Sequence, residues 1–240
     1  MPSSLEQIRR DPFPGTEGNW KEKERSMLRL LKPAVMGVLV LTVLTGICFP
    51  AVITALAQIV FPHRANGSLL TRDGHVVGSE LIGQSFSAPG YFHPRPSAAG
   101  SGYDATASSG TNLGPTSAKL INGIHKKLAN GSDDPGNFDG IRDLAAAYRQ
   151  ENGLPENALV PADAVTRSAS GLDPDISPAN AEIQAARVAK ARGAPIETII
   201  RLVHANTQGR QLGFLGEPRV NVLRLNLAVD QAAPIQPSHS

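Results

Sequence analysis

Residues 33–62 read PAVMGVLVLTVLTGICFPAVITALAQIVFP, thirty positions without one Asp, Glu, Lys, Arg or His. A helix rises about 1.5 Å per residue and a bilayer core takes ~20 apolar residues to cross, so the run predicts one transmembrane helix, residues 31–62, with some tilt. A secretory signal is the competing reading, and Ala55-Leu56-Ala57 has the form of a cleavage site. The apolar region of a signal is usually only ~7–15 residues. Here it runs from Ala34 to Thr54 and on through Ile59, Val60 and Phe61, which favours a retained anchor. A lipoprotein signal is disfavoured because Ile47 stands before the lone Cys48, where a small residue is needed.

The flanks orient the span. Lys21, Lys23, Arg25, Arg29 and Lys32 precede it, whereas Arg64 and Arg72 are the basic residues just after it. Positive charge is kept on the cytoplasmic side, so residues 1–30 are expected in the cytoplasm and 63–240 outside. Met27 is an alternative start that would thin this bias. The first 26 residues, with Pro12, Pro14, Gly15 and Gly18, read as disordered.

Of 23 Lys and Arg and 21 Asp and Glu, seven and five precede the span, so the outer segment is formally neutral. That excludes the basic footprint of a nucleic-acid binder. The single cysteine lies in the span, so the outer domain has to hold together by packing alone.

Within the span, Thr42, Gly46, Pro50, Thr54 and Gln58 recur every fourth residue along a slowly drifting face. Small and polar residues on one stripe suit helix–helix packing in lipid. Pro50 has no N–H and deprives the Gly46 carbonyl of its helical partner, which predicts a kink. This seam is the expected partner contact.

Beyond the membrane, Asp73-Gly74 between two short apolar runs predicts a β-hairpin. Residues 97–114, rich in Ser, Gly and Ala, predict a loop laid over a surface. Leu120, Ile121, Ile124 and Leu128 predict one helix, and Phe138, Ile141, Leu144, Ala145 and Tyr148 another. A third has Ser177 as cap, Pro178 at its first position and Gly193 as its stop, and a fourth carries Ile196, Ile199, Ile200 and Val203. Val220–Leu227 alternates and predicts a strand. The outer segment is therefore expected to be one α+β domain without internal repeats.

Catalytic signatures are missing. Histidines stand at 63, 75, 93, 125, 204 and 239, with no pair at helical zinc spacing, no CxxC and no G-x-S-x-G, so no metal site and no catalytic residue are expected. Gly131–Gly136 has the opening of a phosphate loop, but Asn137 and Phe138 follow where Lys and Ser or Thr are required. His93 with Tyr91, Arg95 and Ser85 offers an acid–base cluster, the basis of an alternative reading as a membrane-anchored hydrolase. Prolines 94 and 96 favour a rigid packed loop instead. Arg187, Lys190 and Arg192 read as a solvated basic face. Asp173 and Asp175 read as serving a helix N-terminus rather than a cation.

Several longer motifs occur in order: Ala65-Asn66-Gly67-Ser68, Leu81-Ile82-Gly83-Gln84-Ser85-Phe86, Tyr91-Phe92-His93-Pro94-Arg95-Pro96-Ser97-Ala98, Asn112-Leu113-Gly114-Pro115, Ser168–Pro178 with Gly171, Leu172, Asp173 and Ser177, Arg187–Gly193 with Arg192, and Pro218-Arg219-Val220-Asn221-Val222-Leu223. Over about Leu31–Asp230 the sequence resembles the C subunit of the Kdp potassium-transporting ATPase. The resemblance implies an accessory subunit of a bacterial inner-membrane potassium pump, without catalytic residues or a cofactor of its own. It sits beside a channel-like potassium-carrying subunit and a P-type subunit that hydrolyses ATP. The family is described as an assembly factor and catalytic chaperone that raises ATP affinity. With residues 63–240 outside, direct ATP contact is not expected. The extension before Leu28 and the length of Gly131–Gly153 depart from compact members.

Overall fold

The computed structural model describes residues 17–234 and divides at Asn66/Gly67 into two compact units. The first is helical. Helix α1 (Glu17–Val43) passes through a π-helical turn, Leu44–Cys48, into α2 (Phe49–Val60), and a single turn, α3 (Pro62–Ala65), follows. Residues 1–16 of the stretch expected to be disordered lie outside the described residues. From Glu17 that stretch is helix, as its run of Lys and Glu, both strong helix formers, permits. Arg25–Val60 is long and apolar enough to cross a membrane, with none of its most apolar window buried.

The second unit mixes helix and sheet. Strands β1 (Leu69–Arg72) and β2 (His75–Ser79) form the expected antiparallel hairpin. Asp73 and Gly74 have φ of 51° and 81°, the pair of positive values that a tight hairpin turn of this hand requires. No helix or strand forms between Ser79 and Ala118. Residues 97–114 form the expected loop, mostly exposed with Ala99 as its one buried residue, whereas Phe92, just ahead of it in the same connection, is fully buried.

Helix α4 (Ala118–Asn122) is much shorter than expected. Gly123, at φ 78°, ends it, and Ile124 then pairs with Phe138 in an antiparallel bridge, so Ile124, Leu128 and Phe138 are not helical. Helix α5 (Ile141–Glu151) begins after Gly140, whose N–H donates to the Asp143 carboxylate at 2.8 Å. After the short α6 (Ala162–Val165) and β3 (Asp175–Ile176) comes α7 (Pro178–Arg192), bounded as predicted. Ser177 Oγ accepts the Asn180 N–H at 3.1 Å, and Gly193 closes the helix in the left-handed region at φ 63°. Helix α8 (Ile196–Ala205) also forms as expected.

The run expected as a strand from Val220 to Leu227 is mostly helix. Only β5 (Arg219–Asn221) pairs, between β3 and β4 (Thr207–Gln208), and α9 (Val222–Ala232) starts at once. The Asn221 side chain decides this by accepting the Arg224 N–H at 3.1 Å as a helix cap. Val222, Leu225 and Val229 then share a buried face at helical spacing.

The main core joins α7, α8, α9 and the three-stranded sheet through Ala181, Ala185, Val188, Ile199, Val203, Val220, Leu225 and Val229, with Phe92 brought in from the long connection. Alanines at 181, 185 and 189 keep the buried face of α7 thin, so neighbouring backbones approach it closely. A smaller core joins Tyr148, Ala164 and Val165 with Leu144 and Ile183.

Candidate functional site

In the helical unit the fourth-residue stripe meets the π-turn. Phe49 N–H bonds to Leu44 O, an i to i+5 closure just before Pro50. The wider turn relieves the clash between a proline ring and the carbonyls behind it. It also changes the stripe. From Thr42 to Gln58 is sixteen residues, which in an uninterrupted α-helix drift about 160° at about 100° per residue. A π-turn takes in one extra residue, so the same stretch advances as fifteen and drifts only about 60°. Thr42, Gly46, Pro50, Thr54 and Gln58 therefore stay on a narrow band.

A Cβ built at Gly46 meets nothing within 4 Å, so this chain leaves that position open. Thr45, off the stripe, donates back to Leu41 O at 2.7 Å. Gln58 is already engaged: its amide and that of Asn66 exchange hydrogen bonds at 3.3 and 3.1 Å.

In the second unit the quoted motifs converge on one construction, in which the extended segment from Gly90 to Ser97 is gripped by side-chain amides. Asn226 Oδ1 accepts the Phe92 N–H at 2.8 Å, and its Nδ2 donates to Phe92 O at 3.0 Å. One residue on, Gln184 Oε1 accepts the His93 N–H at 2.7 Å and Nε2 donates to His93 O at 3.0 Å. Each amide thus stands in for a strand neighbour, and both are 1% exposed. Neither had been singled out in the sequence, where each is one amide on a largely apolar helix face.

Two arginines extend the grip. Arg187 donates to Pro89 O at 2.6 Å, Tyr91 O at 3.0 Å and Gln184 Oε1 at 2.8 Å. Arg192 donates to Gly90 O at 2.7 Å and Ala233 O at 3.0 Å, and lies 4.6 Å over the Tyr91 ring. Its Nη2 is 2.8 Å from Asp230 Oδ1, an ion-pair contact rather than an aligned hydrogen bond. The expected solvated basic face holds only for Lys190, which is exposed, since the side chain of Arg192 is 0% exposed and that of Arg187 is 9%. Burial draws the Arg187 guanidinium below its usual range, and the Glu151 charge opposes this.

Further along, Arg95 Nη1 donates to Asp173 Oδ2 at 2.7 Å and Nη2 to Thr166, while the Tyr103 hydroxyl donates to Arg95 O at 2.6 Å. Ser97 Oγ donates to Gly171 O at 2.6 Å and accepts N–H groups from Ala99 and Tyr103. Gly171 has φ 68°, and a Cβ there would fall 2.6 Å from Ser109 O, so the two loops meet only through glycine.

Asp173 and Asp175 do not serve the N-terminus of α7, because Arg95 and Arg219 take them. Asp163 does so instead, accepting from Ser177 N–H, Ser177 Oγ and Asn180 Nδ2. Of the other motif positions, Gln84 donates to Val77 O, the Phe86 ring stands 5.5 Å from Tyr91, and Leu172 O accepts the Gly83 N–H. Asn221 Nδ2 donates to Glu80 O, Asn112 holds φ 52°, and Leu113 is half-buried.

The imagined acid–base cluster is not assembled. His93 Nδ1 lies 2.6 Å from Glu151 Oε1 and Nε2 lies 3.0 Å from Ala88 O, so both ring nitrogens face acceptors. Tyr91 and Arg95 spend their polar atoms on Asp230 and on Asp173 with Thr166. A recess of about 250 Å³ beside His93 is lined by Pro94, Pro96, Leu144, Ala147, Tyr148, Glu151, Ala164, Asn180 and Gln184, with no Ser, Thr or Cys to act as nucleophile. Its polar groups satisfy one another, as Tyr148 OH and Gln184 Nε2 both donate to Asn180 Oδ1 at 2.9 Å. Burial raises the Tyr148 hydroxyl well above its usual range, so it remains a donor.

A match to the family model described as K+-transporting ATPase, c chain, covers residues 31–231. The chain belongs to the KdpC family. A potassium-transporting ATPase KdpC subunit of Mycobacterium tuberculosis is 53% identical over 205 residues, which is 85% of this chain and 100% of that protein. Those of Beijerinckia indica and Koribacter versatilis are 49% and 47% identical over 210 and 209 residues, covering 88% and 87% of this chain and 98% of each relative. Membership makes it a subunit of a potassium-transporting ATPase, and the resemblance carried by the motifs is correct.

Within the family fold, Glu151 makes stability depend on pH. The hydrogen bond from His93 is the largest influence holding its carboxylate below the ordinary value of 4.5, followed by the His93 and Arg187 charges, against the opposing effect of burial. The unfolded chain therefore binds more protons at this site, and the stabilisation is full above that value and lost as pH falls through the lower folded one. Glu151→Gln should flatten the loss of urea midpoint between about pH 6 and pH 3. A variant that loses stability as steeply as the parent over that window would remove Glu151 from the acid response.

Proposed function

We propose that this chain is a non-catalytic accessory subunit of an ATP-driven, high-affinity potassium import complex in the bacterial inner membrane. Its helix spans the lipid once with the N-terminus cytoplasmic, and residues 63–240 form the extracytoplasmic domain. The partners are the channel-like potassium-carrying subunit and the P-type ATPase subunit. It serves assembly, and it raises the ATP affinity of the hydrolysing subunit without a nucleotide site of its own. That effect works by preferring one conformation of the pump, which requires different contacts with its two states.

The observation that carries this reading is that the family match, residues 31–231, takes in both the apolar helix and the following unit. It supports a helix that belongs to the working subunit rather than a detachable leader. The helix then docks along Thr42, Gly46, Pro50 and Thr54, with the amide of Gln58 closing the end of the stripe.

The test is co-purification of the transport subunits with Gly46→Leu. Since a Cβ at Gly46 is unobstructed in this chain, insertion and helix are retained while bulk is added where a partner helix would approach. Recovery of the partners should fall by about tenfold, equivalent to ~1.4 kcal/mol of packing. ATP affinity of the remaining complex should fall with occupancy of this subunit. Full recovery of the partners with the Gly46→Leu chain would sink the docking stripe.

A further inference from the structure

Away from the clamped segment, His125, Asp139 and Asp143 meet with one ligand atom each, all within 4.8 Å of one another. We propose that they form a binding site for a divalent transition-metal ion, zinc fitting best, independent of the role in the pump.

The backbone brings the three together. Ile124 and Phe138 exchange N–H to O bonds at 2.8 and 2.9 Å in an antiparallel bridge, which sets His125 and Asp139, each the next residue, diagonally across it on the same face. Asp143 arrives from the first turn of α5. Its Oδ2 takes the Gly140 N–H at 2.8 Å, so one ligand is already oriented by a backbone donor, as outer-sphere contacts orient metal ligands. A Cβ at Gly123 would collide with Asp143 Oδ2 and stand 2.7 Å from His125 Nε2, so only glycine lets these two atoms come together.

The distances and charges fit an ion. Atoms bound about 2.1 Å from one metal lie ~3.0–3.4 Å apart at neighbouring positions. His125 Nε2 and Asp143 Oδ2 are 2.9 Å apart, and an Asp139 carboxylate oxygen lies within 4.8 Å of both. The Asp139 carboxylate and the Arg167 guanidinium attract one another, so an ion would share this carboxylate with Arg167. Lys119 and Arg167 lie over the Phe138 ring at 5.1 and 4.5 Å, and Arg167 donates to Asp139 O rather than to its carboxylate. Asp139 and Asp143 thus place two carboxylates beside an imidazole.

One nitrogen and two oxygens select zinc, manganese or nickel over copper(I), which prefers sulfur, and over calcium, which takes oxygen alone. Because His125 and Asp139 are exposed, the ion enters from solvent and keeps water in its remaining positions. Binding exchanges the Nε2–Oδ2 hydrogen bond for two bonds to the metal, with the imidazole retaining one proton on Nδ1. The ion would pin the Ile124–Phe138 bridge to the start of α5.

The test is zinc titration of the full-length, untagged chain in detergent, by calorimetry and by melting temperature, with cobalt(II) absorption as an optical probe. We expect one saturable site whose zinc raises the melting temperature. His125→Ala and Asp139→Asn should each weaken it about tenfold or more and abolish the cobalt ligand-field band, while the metal-free melting temperature stays near that of the parent. Asp143 is left alone because it also caps α5. Binding unchanged in both variants means adventitious metal on other histidines, and it overturns the site, as does the absence of saturable binding in the parent.

Discussion

Asn226→Leu should destabilise the second unit more than any other single polar-to-apolar change in it. The side chain is 1% exposed and serves the Phe92 backbone twice, accepting its N–H at 2.8 Å and donating to its carbonyl at 3.0 Å. Leucine fills nearly the same space and takes away both partners. Each buried backbone group left unsatisfied costs about 1–3 kcal/mol. Two such groups give roughly 2–6 kcal/mol, a large share of the ~5–15 kcal/mol that holds a domain folded.

The effect should propagate, because Phe92 is fully buried in the main core and His93 beside it depends on Gln184 in the same way. Urea unfolding of the full-length chain, followed by far-ultraviolet circular dichroism, should show a lower midpoint at unchanged slope. Asn226→Asp keeps the acceptor and loses the donor, so it separates the two bonds. A change below about 1 kcal/mol for the leucine variant would mean that water replaces the amide and that the clamp is not structural.

That clamp marks where sequence reading stops. Helices α7 and α8 were legible because their signals are local: Ser177, Pro178 and Gly193 lie at the ends they determine, and Ile196, Ile199, Ile200 and Val203 repeat at helical spacing. The hairpin was legible through Asp73-Gly74 for the same reason. The segment after Val220 was not, because its apolar residues fit period two and period 3.6 almost equally. The choice falls to one side chain, Asn221, which caps a helix after only three paired residues.

The motif Tyr91–Ser97 was recognisable as a unit, but its work was hidden. Its partners Gln184 and Asn226 lie 91 and 134 residues away, and no local pattern announces an amide standing in for a strand. His125 and Asp143, 18 residues apart, were hidden in the same way, since a backbone bridge rather than helical spacing brings them together. The burial of Arg187 and Arg192 was equally invisible, for half of their hydrogen bonds go to the distant carbonyls of Pro89, Gly90 and Tyr91.

Replacing Pro50 by alanine should cost more assembly than adding bulk at Gly46. Proline has no N–H to give the Gly46 carbonyl, and its ring crowds the turn behind it, whereas alanine restores the donor and removes the ring. The π-turn at Leu44–Cys48 then loses the feature that favours it, and closure to regular α-helix becomes the lower-energy arrangement. Closing it removes one residue from the wide turn and rotates everything beyond by about 100°. Thr54 swings off the band it shares with Thr42, and Gln58 moves with it. A partner shaped to the narrow stripe would lose the whole lower half of the contact, where Gly46→Leu disturbs one point. With interhelical polar contacts worth about 1–2 kcal/mol at most, two misplaced groups and lost packing amount to roughly 2–4 kcal/mol, enough to empty the complex at ordinary expression. Cysteine crosslinking reads the rotation directly. A cysteine introduced at Leu56 should change crosslinking partners between the parent chain and the Pro50→Ala variant, while one introduced at Val40, before the turn, should not. If both positions crosslink identically and the transport subunits still co-purify, the proline does not set the phase of the helix, and the alignment of the stripe has no part in assembly.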